Sequence, residues 1–253
     1  MKPLHYLIFH PDYARNKTEV KGEAFIESQV TDWQGSVWVD KPDGSNEDPF
    51  VFSKTWLYSY CHAAQLRRKE SLKHAYVRAG SYLFFCSGDA AQKGTIQLDT
   101  VFVVDHVAKW ADNPQRLPEE FQQHYQNKNS DLWLRHFMHP FHGCHKGEYT
   151  YVSRQRFQKK DDYSFLPISQ NGDRVEFDLG LLTPDLQLSI KEKIDRKRPV
   201  ILSEEQKTEL LKRILSLTSI QIIGNLTQLD DNINITDSCS KGCGAKSVKK
   251  GKC

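Results

Sequence analysis

Two apolar segments that lie close together constrain this fold more than any other feature of the chain. They are Tyr76-Val77-Arg78-Ala79-Gly80-Ser81-Tyr82-Leu83-Phe84-Phe85-Cys86 and Thr95-Ile96-Gln97-Leu98-Asp99-Thr100-Val101-Phe102-Val103-Val104-Asp105. Both are rich in the β-branched and aromatic residues that suit a pleated, buried surface. The segment between them, Ser87 to Gly94, carries Gly88 and Gly94 near its ends and suits a turn. Neighbouring antiparallel strands are therefore expected here.

Further strands are read at Leu4–Phe9, Ala24–Val30, Ser36–Val39, Tyr149–Ser153, Tyr163–Ile168, Arg174–Leu179 and Ile220–Ile223. An acidic loop with two prolines and a glycine runs from Asp40 to Pro49. After it, Ser53 is placed to cap a helix in which Trp56, Leu57, Tyr60, Cys61 and Ala64 recur at helical spacing and Arg67-Arg68-Lys69 sit at the C-terminal end. Pro118-Glu119-Glu120-Phe121 reads as a second helix start. Ser203-Glu204-Glu205-Gln206 has capping-box spacing, and Leu210, Leu211, Ile214 and Leu215 form one stripe on the helix that follows. Strands dominate and no βαβαβ alternation is present. The expectation is an α+β fold around a mixed, mostly antiparallel, curved or barrel-like sheet with a few flanking helices. Residues 1–225 would form one domain, and 226–253 a flexible tail rich in Cys and Lys.

Charge and cysteine content narrow the class. With 35 Lys+Arg against 32 Asp+Glu, the net charge is +3. The excess sits in the tail, where Lys241, Lys246, Lys249, Lys250 and Lys252 have no acid among them. Such a run is attracted to phosphate backbones or is simply solvated. Six cysteines, three scattered and three in the last fifteen residues, lack the dense spacing of a disulfide framework, so a reduced cytoplasmic protein is expected. No cleavage site follows the short N-terminal apolar run, so no signal peptide is read. No run reaches the roughly 18 apolar residues of a membrane span.

Four histidines within ten residues stand out in Arg135-His136-Phe137-Met138-His139-Pro140-Phe141-His142-Gly143-Cys144-His145. Imidazole and thiolate ligate zinc and other transition metals, so His139, His142, Cys144 and His145 are the metal candidates, with zinc or another divalent ion as the implied cofactor. A metal-dependent hydrolase or nuclease is one reading. The plainer one is a loop whose histidines pack, hydrogen-bond or stack. Cys239, Cys243 and Cys253 lack paired Cys-x-x-Cys knuckles. Basic residues collect around Arg67 to Arg78, Arg154 to Lys160 and Lys191 to Arg198. Among the nearby rings, Trp56, Tyr58, Tyr60, Phe84, Phe85, Trp133, Tyr149 and Tyr151 offer stacking faces for an unpaired base, although most must serve the core. No Gly-x-Ser-x-Gly elbow, phosphate loop or dinucleotide fingerprint occurs. His10 with Asp12, and Asp105 with His106, are candidate acid–base pairs, but adjacent residues on a regular strand point to opposite faces.

Three blocks carry a family resemblance: Ala79-Gly80-Ser81-Tyr82-Leu83-Phe84-Phe85, then Thr100-Val101-Phe102-Val103-Val104-Asp105-His106-Val107, then His139-Pro140-Phe141-His142 followed by Tyr149-Thr150-Tyr151-Val152-Ser153. Over about residues 76–180 the chain resembles the nucleotide-modification-associated domain families, small α+β proteins of PUA-like character. The resemblance implies a place in phage or bacterial systems that make, read or counteract modified bases, and it favours His139 and His142. The leading expectation is a protein that binds a nucleotide or nucleic acid, possessing a ligand site built from Arg78, His139, His142, Tyr149, Tyr151 and Arg154.

Overall fold

The computed structural model describes residues 2–10, 15–40, 49–52, 55–58, 66, 77–88, 94–109, 149–155, 163–194 and 199–229. Its strands are β1 (His5–His10), β2 (Arg15–Ile26), β3 (Gln29–Asp40), β4 (Leu57–Tyr58), β5 (Tyr82–Ser87), β6 (Thr95–Lys109), β7 (Tyr149–Ser153), β8 (Leu166–Ile168), β9 (Val175–Asp178), β10 (Val200–Leu202) and β11 (Ile220–Gln228). Two helices are described, α1 (Pro184–Ile194) and α2 (Glu204–Leu217). The fold is α+β and mostly sheet.

One sheet of seven strands runs β10-β1-β5-β6-β7-β4, with β9 also on β6, and a second of four runs β3-β2-β11-β8. Only β1 and β5 pair in parallel; the other ladders are antiparallel, including the expected β5–β6 pair. The sheets are open rather than closed into a barrel. A short segment joins them: Phe165 exchanges two backbone hydrogen bonds of 2.9 Å with Val101 of β6, and the next three residues pair with β11.

Strand alternation builds two cores. Leu7, Phe9, Phe84, Cys86 and Val103 face one way and pack with Leu186 and Ile190 of α1 and Leu210 and Ile214 of α2. Tyr6, Ile8, Leu83, Phe85, Phe102 and Val104 face the other way, against Val20, Ala24, Val37 and Ile222 of the second sheet. The central strands are thus buried on both faces, which is why β5 reads as an unbroken apolar run. Ser203 caps α2 as the spacing predicts: its hydroxyl accepts from the Gln206 N–H at 3.2 Å while the Gln206 side chain accepts from the Ser203 N–H at 2.9 Å.

Two expectations need correction. The segment Ala24–Val30 is not one strand, because Glu27 and Ser28 take positive φ values of 47° and 73° and turn β2 back into β3. A two-residue hairpin turn demands such backbone, and it normally advertises itself with Asn or Gly. The helix expected from Ser53 does not include Leu57 and Tyr58, which are strand β4; Trp56, Leu57 and Tyr58 are all fully buried there. Residues 59–65 and 67–69 of that helix, and the helix start at Pro118, lie outside the described residues. Strand β11 runs to Gln228 and buries Leu226. The rest of the tail lies outside the described residues. No helix among those described is long and apolar enough to cross a membrane.

Candidate functional site

The segments that carry Arg78 and Arg154, two residues expected at the site, are anchored to Val104 and Val103 of β6. The turn before β5 is fastened there: Ser81 N–H donates to the Arg78 carbonyl at 2.9 Å, and the Arg78 N–H donates to the Ser81 hydroxyl at 3.0 Å. Gly80 takes φ +84°, a left-handed conformation, and donates its N–H to the Val104 carbonyl at 2.8 Å. The Arg78 guanidinium donates to the Lys2 carbonyl. From the other edge, the Arg154 N–H donates to the Val103 carbonyl at 2.7 Å, and the Arg154 carbonyl accepts from Ser164 at 2.9 Å.

Between these two arginines β6 changes partner. Its pairing with β5 ends at Val103, and its ladder with β7 slips between Val104 and His106. Asp105 is the extra residue of this bulge. A bulge re-aims side chains, so Asp105 and His106 need not point apart as they would on a regular strand. The Asp105 carboxylate Oδ2 lies 2.9 Å from His106 Nδ1, and Oδ1 lies 3.7 Å from Arg154 Nε. An ionised carboxylate can only accept, so Nδ1 carries the proton in this contact. Their side chains are 51%, 37% and 22% exposed respectively, open to a ligand from solvent and of small weight for stability.

The tyrosines divide. Tyr151 is fully buried and stacks on Tyr58 at 5.8 Å with planes 28° apart, so this conformation commits its ring to the core. Tyr149 begins β7 in register with Lys109. Trp56, Tyr58, Phe84 and Phe85, also offered as stacking rings, are fully buried. His139, His142, Cys144 and His145 lie outside the described residues, as do Tyr60 and Trp133. Among the described residues, no group of three or more His, Cys, Asp or Glu could hold a metal ion.

Two other polar clusters were not foreseen. Asp99 sits mid-strand with its side chain fully buried; Ser87 donates to its Oδ1 at 3.1 Å and Arg174 approaches the same oxygen at 3.5 Å. Arg174 also donates to the Ser87 hydroxyl at 2.7 Å and lies 4.1 Å over the Trp38 ring. Trp38 in turn donates to Asp173 at 2.5 Å. Burial pushes the Asp173 carboxyl up, but the Arg174 N–H, Trp38 and the nearby Lys17 and Arg174 charges outweigh it, leaving the pKa lowered. An acid within an apolar strand was the available signal, since a buried charge must find a partner.

The second cluster centres on His5, which is buried. Its Nδ1 accepts the Tyr82 N–H at 3.0 Å and its Nε2 lies 2.8 Å from Glu204 Oε2. Lys207 reaches the same carboxylate at 2.5 Å. With both ring nitrogens engaged, His5 ties β1 to β5 and to the start of α2, a structural role.

No family model, no curated protein and no solved structure matches this chain.

Proposed function

We propose that this protein binds a nucleotide or nucleic acid at the β6–β7 bulge. One observation supports this reading above the others: the Arg154 N–H bonds the Val103 carbonyl and its guanidinium lies beside an accessible Asp–His pair, while the turn that carries Arg78 is fastened to the neighbouring Val104 through Gly80 and Ser81. In the proposed complex the guanidinium of Arg154 exchanges its long contact with Asp105 for phosphate, which it can engage bidentately. His106 supplies a hydrogen-bonding edge for a base. The stacking ring is not Tyr151 in its present packing. The PUA-like character, the cytoplasmic location and a role in reading modified bases in phage or bacterial systems rest on the family resemblance and belong to the same proposal.

Fluorescence anisotropy with labelled single- and double-stranded oligonucleotides tests it, across about 50–200 mM salt, with and without a 5-substituted cytosine. The wild-type chain is expected to bind more weakly as salt rises. Arg78→Ala/Arg154→Ala should weaken binding and lower the log–log salt slope by roughly one per lost phosphate contact. A folded double variant with unchanged affinity and slope would remove these residues from the site, and equal affinity for both cytosines would remove the modified-base specificity.

A further inference from the structure

We propose that β3 is a homodimer interface, pairing antiparallel with β3 of a second copy so that the two four-stranded sheets become one. The strand is twelve residues long, about twice the usual length, and it pairs with β2 in unbroken register from Arg15↔Asp40 to Ile26↔Gln29. It stands at the end of its sheet, and among the described residues no strand pairs with its other edge. Every second residue therefore presents backbone N–H and C=O groups outward. Proteins normally guard such an edge with lysine, proline or a bulge. Gln29-Val30-Thr31-Asp32-Trp33-Gln34-Gly35-Ser36-Val37-Trp38-Val39-Asp40 has no Lys, Arg or Pro, and its register contains no bulge.

The sequence of the strand also selects the occupant and the register. A two-fold axis through Gly35 places Trp33 opposite Val37, Thr31 opposite Val39, Gln34 opposite Ser36, Asp32 opposite Trp38 and Val30 opposite Asp40. On the core side this makes an aromatic to β-branched pair and a β-branched to β-branched pair, both favourable across strands. Neither acid faces an acid. Moving the axis to Ser36 would set Asp32 against Asp40, a like-charge pair. Moving it to Gln34 would set Trp33 against glycine and run Asp40 against Ser28, a residue of the hairpin turn with φ 73°. Gly35 suits the axis because the Trp33 ring already occupies the space above it: a Cβ there would lie 2.6 Å from Trp33 Cζ2. Closed two-fold pairing of this kind is the commonest oligomeric arrangement.

Sedimentation equilibrium of the full chain over roughly 1–100 μM reads the mass against the 29.3 kDa protomer. Gln34→Lys/Ser36→Lys sets lysine directly against lysine twice across the axis, on positions that are not buried in the protomer. Gln34→Glu/Ser36→Lys changes the same residues but sets Glu against Lys. The expected result is a wild-type dimer, association weakened to a dissociation constant at least about tenfold higher in the Lys/Lys variant, and dimerisation retained in the Glu/Lys variant, all three with matching circular dichroism. A monomeric wild type, including one that pairs only with an added extended peptide, overturns the proposal. So does a dimer that responds alike to both double variants.

Discussion

Acidification should loosen this fold through His5 before it reaches the carboxylates. In the native state Nδ1 accepts the Tyr82 N–H, so the neutral ring carries its proton on Nε2 and donates toward Glu204. A second proton would have to go on Nδ1, where it would break the Tyr82 bond and set two donors against each other. Burial lowers the pKa below its usual 6.5, outweighing the hydrogen bond and charge of Glu204, which pull it up; Lys207 adds to the lowering. The sign follows. Between the lowered native value and 6.5 the unfolded chain binds more protons than the native one, so stability falls as pH falls through that window, by at most about 1.4 kcal/mol per pH unit for one group. Glu204 acts in a separate window. Its carboxyl is lowered chiefly by the Lys207 hydrogen bond, so its contribution is present above 4.5 and is lost at lower pH. Urea unfolding at half-unit steps from pH 7.5 to 5, on the wild type and His5→Gln, isolates the histidine because the other titrating groups are common to both. The wild type should lose stability more steeply below about 6.5. Parallel curves would refute the reasoning, and a wild type that gains relative to His5→Gln on acidification would show that attraction to Glu204 outweighs burial.

The other stability predictions concern single contacts. Asp99→Ala leaves Arg174 with its side chain 8% exposed and without its buried carboxylate; Ser87 and Trp38 still hold the guanidinium, so a loss of about 3 kcal/mol in urea unfolding is expected, at the low end for a broken buried pair. Adding Arg174→Leu should recover part of it, and additive losses would mean the two side chains do not act together. Ser203→Ala should cost about 1 kcal/mol by removing the hydroxyl that accepts the Gln206 N–H, while the backbone N–H at 203 keeps its bond to the Gln206 side chain; a change under about 0.3 kcal/mol would show that water replaces the hydroxyl.

What the sequence discloses depends on whether a local pattern has a competitor. Ser203 and Gln206 cap a helix using residues three apart, and nothing elsewhere in the fold can override that. The β5–β6 pair was equally legible because its strands are buried on both faces and read as unbroken apolar runs. The start of the expected helix after Ser53 failed where two periods coincide. Trp56 and Tyr58 alternate as in a strand, while Trp56, Leu57, Tyr60 and Cys61 also fit a helix, and long-range pairing with Tyr151 and Val152 decides the matter. The hairpin at Glu27 and Ser28 carries no turn residue, so its position is set by the β2–β3 register. Helix α1 carries a weak signal: Lys191 and Lys193 read as a basic cluster, and among the described side chains Leu186 and Ile190 mark its buried side. At the candidate site the sequence singles out Arg78 and Arg154, but not that their backbone segments bind adjacent residues of β6, which long-range pairing decides.

The length of β6 explains why accessible chemistry collects where it does. A strand of fifteen residues outruns its neighbours: β5 holds it as far as Val103, β9 covers Thr95 to Leu98 on the other edge, and β7 takes over beyond Val104. Where both faces are covered, a buried charge needs an internal partner, as Asp99 Oδ1 finds in Ser87 and Arg174. At the change of partner that requirement lapses. The slip between Val104 and His106 frees Asp105 from strict alternation and sets it beside His106 and Arg154 at the surface. The same bulge also ends the buried part of the strand, since Val104 is in the core and Asp105 is exposed. The charged groups of the proposed site are thus held at the bulge by backbone hydrogen bonds on both sides of β6.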